Sequence, residues 1–172
     1  MSTPTAADLP TGQDDIQSPP PDLTTVFPEI AALSEAAHYA LRNGRVPQTT
    51  IGLMQLRAWQ VVGGTFHSIG STRQLRAAGE SEARITAVAT WRDAPYFTGA
   101  ERVALELAEA VLAPNPFGER VSDELFTRAA AHYDDAALWT LTIALGQFYL
   151  FVPVVLVGRP IPGRRPGTNH GS

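Results

Sequence analysis

Residues 98–112 read TGAERVALELAEAVL, and this stretch decides the fold. Thr98 and Glu101 have the spacing of a capping box, in which each side chain satisfies an orphan amide of the other at a helix start. Arg102, Glu106 and Glu109 fall on one narrow stripe, and every other position after them is apolar or small. Such a helix buries most of its circumference, so it needs neighbours on several sides. Pro114 and Pro116 end it.

The segments around it carry the same period. Upstream, Ser81 caps a short helix through about Trp91. Before that, a helix from Thr65 to Gly79 places Arg73 and Arg76 near its C-terminal end, where the helix dipole favours cations. Gln48 to about Val62 forms another helix, carrying Ile51, Met54, Leu56, Trp59 and Val62 and broken by Gly63-Gly64. The first runs from Pro28 to about Asn43, where Asn43-Gly44 supplies the stop. Downstream, Ser122 or Asp123 opens a helix to about His132, and Asp134 caps a long last one. No segment alternates with period two. The expected fold class is therefore all-α, a bundle of about six to seven helices.

Composition narrows the chemistry. The chain has 172 residues, 44% of them hydrophobic, and a formal net charge of −4. No basic stripe of the kind used on nucleic acid is visible, and the one tight arginine pair, Arg164-Arg165, lies in a Pro/Gly-rich tail. Cysteine is absent, which removes thiolate, disulfide and metal-thiolate chemistry. Lysine is absent too, since all 13 basic residues are arginine, so no side-chain amine is present for a Schiff base. Residues 1–24 lack both the charged start and the apolar run of a signal peptide and read as a disordered tail. A domain over 25–160, a flexible tail over 161–172 and a cytoplasmic location are expected. Ala136 to Val157 is charge-free and about as long as a bilayer span. Pro153, Thr140, Thr142, Gly146 and Gln147 argue against spanning, and the segment is read as a buried core helix running into an oligomer interface, not a membrane anchor.

Several local strings resemble the alkyl hydroperoxidase D-like and carboxymuconolactone decarboxylase family. Residues 56–67 read LRAWQVVGGTFH, where that family typically has L-R-x-S-Q-I-N-G-C-x-Y-C. Ala78-Gly79-Glu80 matches the usual close of the motif helix. WRDAPYFT at 91–98, then ERVAL and LAEA at 101–105 and 107–110, form the most specific part. The resemblance spans roughly Phe27 to Val157 and implies that family's all-α helical fold, usually as a homo-oligomer.

The family's redox centre does not carry over. Its first Cys corresponds to Gly64, its second to His67, its relay His to Ser71 and its Glu to Gly52. Thiol-based peroxide reduction is excluded by chemistry. The N-x-x-N-R string of the family's last helix is also lost, with Gln147, Leu150 and Phe151 in its place.

Positions 64, 67 and 71 still share one helical face. His67 is the best candidate for a general acid or base near neutral pH, with Ser71 one turn away to orient it. Trp59, Gln60, Gly64, Ser68, Gln147 and Tyr149 are expected to line the same apolar cavity and bind the substrate. The plainer alternative is a partly buried His67 bonded to a backbone carbonyl. His38 is read as a surface or packing residue, His132 as closing a surface helix, and Trp91 and Trp139 as core. One His without a companion ligand is a poor metal set, so neither metal nor cofactor is expected.

Two functions stay open. One is a cofactor-independent, non-redox enzyme acting on a hydrophobic small molecule by proton transfer, decarboxylation, cyclisation or isomerisation. The lysine-free composition suits a GC-rich bacterial genome and a role in secondary metabolism. The other is a non-catalytic member that binds a ligand or a partner protein.

Overall fold

A computed structural model describes residues 23–113 and 120–158. Most of the two expected tails, with His170, Arg164 and Arg165, lies outside these residues, as do Pro114 and Pro116. All regular structure among the described residues is helical: α1 Leu23–Val26, α2 Pro28–Leu41, α3 Gln48–Val62, α4 Thr65–Ala77, α5 Glu82–Ala87, a 3-10 turn Val88–Thr90, α6 Gly99–Leu112, α7 Asp123–Ala130 and α8 Asp135–Gly158. The first of these starts at Leu23, just inside the stretch expected to be disordered.

Helix ends follow the side chains that cap them. Thr98 Oγ1 accepts from the Glu101 amide at 3.2 Å, and Glu101 accepts from the Thr98 amide at 2.8 Å. Ser81, Ser122 and Asp134 cap α5, α7 and α8 in the same sense. Between α3 and α4 the chain has only Gly63 and Gly64, and Gly63 takes φ +75°, a left-handed conformation that glycine adopts without strain.

α6 sits at the centre. Val103, Ala104, Leu105 and Ala108 are buried, and the core divides around them. One part gathers Met54, Trp59, Leu141, Leu145 and Phe148 between α3, α6 and α8. The other gathers Leu53, Leu56, Leu75, Ile85, Val88 and Trp91 between α3, α4, α5 and the turn after it. Even the polar stripe of α6 is covered. Arg102 donates to the carbonyls of Trp91, Arg92, Ala94 and Phe97, so the stripe anchors the 91–98 segment across the helix.

α2 lies against α8 and is tied to it by side chains. Asn43 Nδ2 donates to Thr140 Oγ1 at 2.8 Å, and buried Thr140 donates in turn to the Ala136 carbonyl at 2.7 Å. α8 runs on through Pro153, and one expectation about it changes. Trp139, expected in the core, is 67% exposed. The buried positions Ala137, Leu141, Ala144 and Phe148 recur at helical spacing, and Trp139 falls between them on the outer face. By length and composition α8 is long and apolar enough to cross a membrane, and 28% of its most apolar window is buried.

Candidate functional site

The rebuilt motif sits where α3, α4 and α8 meet. Trp59, near the end of α3, is 7% exposed and is held on three sides. The His67 imidazole stacks on its ring, with centroids 4.3 Å apart and planes 14° off parallel. Phe148 of α8 packs against it at 4.2 Å. The third side is the Gly64 backbone: a Cβ there would lie 2.5 Å from Trp59 Cε3. The indole thus occupies the space that a side chain at 64 would need. Where the resembling family has a small residue at 59 and a cysteine at 64, this chain has tryptophan and glycine, a volume-compensating exchange.

Gly52 shows the same logic. A Cβ there would lie 2.9 Å from Leu75 Cδ2, so Leu75 fills the ground beside the family's glutamate position. Neither lost polar group left a hole behind.

A cavity of about 260 Å³ opens beside this stack. His67, Ser71, Trp59 and Gln147 all line it, so these four expected site residues come together. Burial pushes the His67 imidazole below its ordinary pKa, so it is neutral at pH 7 and able to accept a proton. No Asp, Glu or Arg side chain lines the cavity among the described residues.

The other expected residues go elsewhere. Gln60 and Ser68 line a second, shallower groove of about 420 Å³ on the far side of α4, with Arg73 and Arg76 at one end. Trp59 borders both spaces and separates them. Gly64 is buried packing for Trp59 rather than a ligand contact. Tyr149 points away: its hydroxyl donates to the Val111 carbonyl at 2.5 Å and accepts from Arg120 at 3.1 Å. One residue beyond Phe148 on a helix is a rotation of about 100°, enough to take a side chain off the cavity face.

His38, read as a surface or packing residue, is exposed and also borders the cavity, with Nδ1 2.8 Å from the Ser34 carbonyl and 3.2 Å from the Gln147 amide. The Ser34–His38 spacing was visible in the sequence, but Gln147 is 109 positions away and only packing brings it there. Also unforeseen was the network around Glu109. Its carboxylate accepts from Arg57 Nε at 2.6 Å and Trp91 Nε1 at 2.9 Å, and pairs with Arg92 at 2.5 Å. Burial pushes this carboxyl's pKa up, but the hydrogen bonds from Trp91, Arg92 and Arg57 outweigh it and hold it below the usual range. Among the described residues no cluster of three His, Asp or Glu side chains is placed to hold a metal ion.

Comparison with known proteins agrees with this architecture. Residues 28–110 match the carboxymuconolactone decarboxylase family. The chain is 32% identical over 107 residues to the uncharacterized protein YdfG of Bacillus subtilis (strain 168), covering 62% of this chain and 71% of that one. It is 44% identical over 78 residues to the uncharacterized protein YnjA of Escherichia coli (strain K12), covering 45% of this chain but only 41% of that protein. A crystal structure of a protein of unknown function from Agrobacterium tumefaciens, whose name links it to the antioxidant defence protein AhpD, superposes with a TM-score of 0.73. At 24% identity, with 83% of this chain and 96% of that one covered, the likeness shows the fold. The chain therefore belongs to the carboxymuconolactone decarboxylase family, as a cysteine-free member with an AhpD-like fold.

Proposed function

We propose that the protein is a cofactor-independent, non-redox enzyme that moves a proton on an uncharged hydrophobic small molecule, with His67 as general acid/base. The observation that carries this reading is a neutral imidazole held flat on Trp59 at the edge of a cavity with no ionised lining. An unprotonated His in such a place can take a proton from carbon and return it to a neighbouring atom. Ser71, one helical turn along the same wall, is placed to bind or orient the substrate. No Asp, Glu or Arg side chain lines the cavity to pair with an ionic substrate, which favours an uncharged one. On an uncharged substrate, isomerisation and cyclisation both begin or end with such a transfer. Secondary metabolism in a bacterium is the setting that the lysine-free composition suits.

The test is deuterium incorporation. Uncharged aromatic carbon acids (an aryl ketone, an aryl nitrile and an aryl nitroalkane) are incubated in D2O and followed by proton NMR. Wild-type protein is expected to exchange at least one of them about 10²-fold faster than His67→Gln. Equal rates, with both proteins folded, overturn the catalytic role and leave the second reading, a ligand-binding member without catalysis. That second reading draws support from the filled motif positions: the indole stands where the family's reactive group would be.

The reading includes a cytoplasmic homo-oligomer joined through α8, with no nucleic acid or membrane partner. Its support is an apolar outer face on which Trp139 is 67% and Val157 77% exposed. Sedimentation at the 18.5 kDa of one chain would overturn it.

A further inference from the structure

The groove on the far side of α4 has a different character from the cavity and does not depend on how the cavity is read. α4 lines it with positions 65, 68, 69, 72, 73 and 76. These recur at intervals of three and four, so they form one continuous stripe along the helix. α3 faces that stripe with Leu56, Trp59, Gln60 and Gly63, which have the same period. From Thr65 to Arg76 the stripe is about 16 Å long at the helical rise of ~1.5 Å per residue. His67, Gly70, Ser71 and Gln74 line the cavity instead, so α4 turns a separate face to each space.

Charge is confined to one end of the groove. Ile69 and the hydroxyls of Thr65, Ser68 and Thr72 lead to Arg73 and Arg76, and no Asp or Glu lines the groove among the described residues. The two arginines differ. Arg76 is already paired with Glu82. Arg73 is exposed and has no carboxylate partner among the described residues. A cation with nothing across from it, at the end of an apolar slot, favours an anion there. Leu56 and Trp59 are 2% and 7% exposed, so the apolar floor lies below the rim. A slender ligand reaches such a floor and a broad protein surface does not.

We infer that this groove is a second ligand site, for an elongated apolar carboxylate whose charged end meets Arg73 and whose body lies along Ile69, Leu56 and Trp59. The guanidinium fork matches a carboxylate and can hold both of its oxygens. About 420 Å³ is room for a ring with a short chain. The pairing of Arg76 with Glu82 leaves Arg73 as the side chain that sets the preference for an anion. The two faces of α4 therefore differ in what they take: an uncharged molecule beside His67 and an anion beside Arg73, with Trp59 bordering both.

Three probes on one skeleton test this by calorimetric titration: 4-phenylbutyrate, 4-phenylbutan-1-ol and 4-phenylbutylamine. Wild type is expected to bind the acid about fivefold more tightly than the alcohol, the upper end for an exposed ion pair, and the amine least. Added salt should shrink that margin. Arg73→Gln should bring the acid to the level of the alcohol, and Arg73→Lys should restore part of the difference. Ile69→Glu sets a carboxylate in the middle of the groove and should weaken the acid more than the alcohol. His67→Gln should leave all three probes unchanged. No binding of the acid, no preference for it over the alcohol, or a preference that survives both Arg73→Gln and Ile69→Glu overturns the inference. Binding lost in His67→Gln places the probe in the cavity and overturns it too.

Discussion

Arg57 and Trp59 stand two positions apart on α3 and face opposite environments. Arg57 reaches into an ionised network, where Glu109 gathers two arginines and an indole N–H against α6. Trp59 reaches into a neutral wall of His67, Phe148 and a bare glycine. On the Arg57 side the sequence keeps the strings that resemble the rest of the family. On the Trp59 side nearly every motif position differs. The difference teaches what each kind of site tolerates. A charge network holds each member through the others, so removing one strands a charge at partial burial. A packed apolar wall needs only its volume filled, and a large residue beside a glycine fills it as well as a small one beside a cysteine.

The largest expected effect breaks the network. Glu109→Ala leaves Arg57, Arg92 and Trp91 Nε1 without their acceptor and should cost about 2–4 kcal/mol in urea unfolding. That range is placed below the fully buried case because Arg57 and Glu109 keep some solvent contact. A loss under 0.5 kcal/mol (about the size of an ordinary surface change) would mean that the network is ornamental. The network also has a pH signature. Since the Glu109 carboxyl is held low when folded, its contribution is complete above the unfolded carboxylate pKa and fades as pH falls through the folded value. Acid unfolding of Glu109→Ala should accordingly be shallower below about pH 4.5 than that of wild type.

Next is the wall. Gly64→Cys drives a Cβ into Trp59 and should destabilise the protein by about 1–3 kcal/mol. In a Trp59→Ser background the same change should cost almost nothing, although Trp59→Ser alone loses about 3–5 kcal/mol from the cavity it opens. A double-mutant cycle reads this coupling directly, and additive losses would show that indole and glycine do not compensate each other.

A smaller effect separates the two sides by pH near neutrality. Burial disfavours the charged form of His67, so the unfolded chain takes up the proton first as pH drops below 6.5. Wild-type melting temperature should therefore fall between about pH 7 and the lower folded pKa, and His67→Gln should flatten that part of the curve. Parallel curves would place the imidazole in solvent.

The smallest effect is Tyr149→Phe. Its exposed hydroxyl bridges Val111 and Arg120 outside the cavity, so stability should fall by about 1 kcal/mol at most, with deuterium exchange unchanged. A lost exchange signal would return Tyr149 to the site.

Much of the fold was legible because its signals are local. The capping box at Thr98 and Glu101, the glycine break at 63 and 64, and the apolar period of each helix need no distant partner to be read. The candidate site was legible in part. His67 and Ser71 are one turn apart on α4, and helical geometry alone puts them on one wall. Gln60 and Ser68 were misplaced because spacing does not say which side of α3 or of α4 faces which neighbour.

By itself, then, the sequence determined that this chain is all-α and that its chemistry uses neither thiol nor amine. Residue types and short-range periodicity suffice for both. Tertiary structure alone decided that Trp59 borders two spaces, that Trp139 faces outward from a largely apolar helix, and that His38 meets Gln147. Each depends on which helix face packs against which neighbour. That choice is made by the summed burial of the bundle and leaves no mark in the spacing of any single segment.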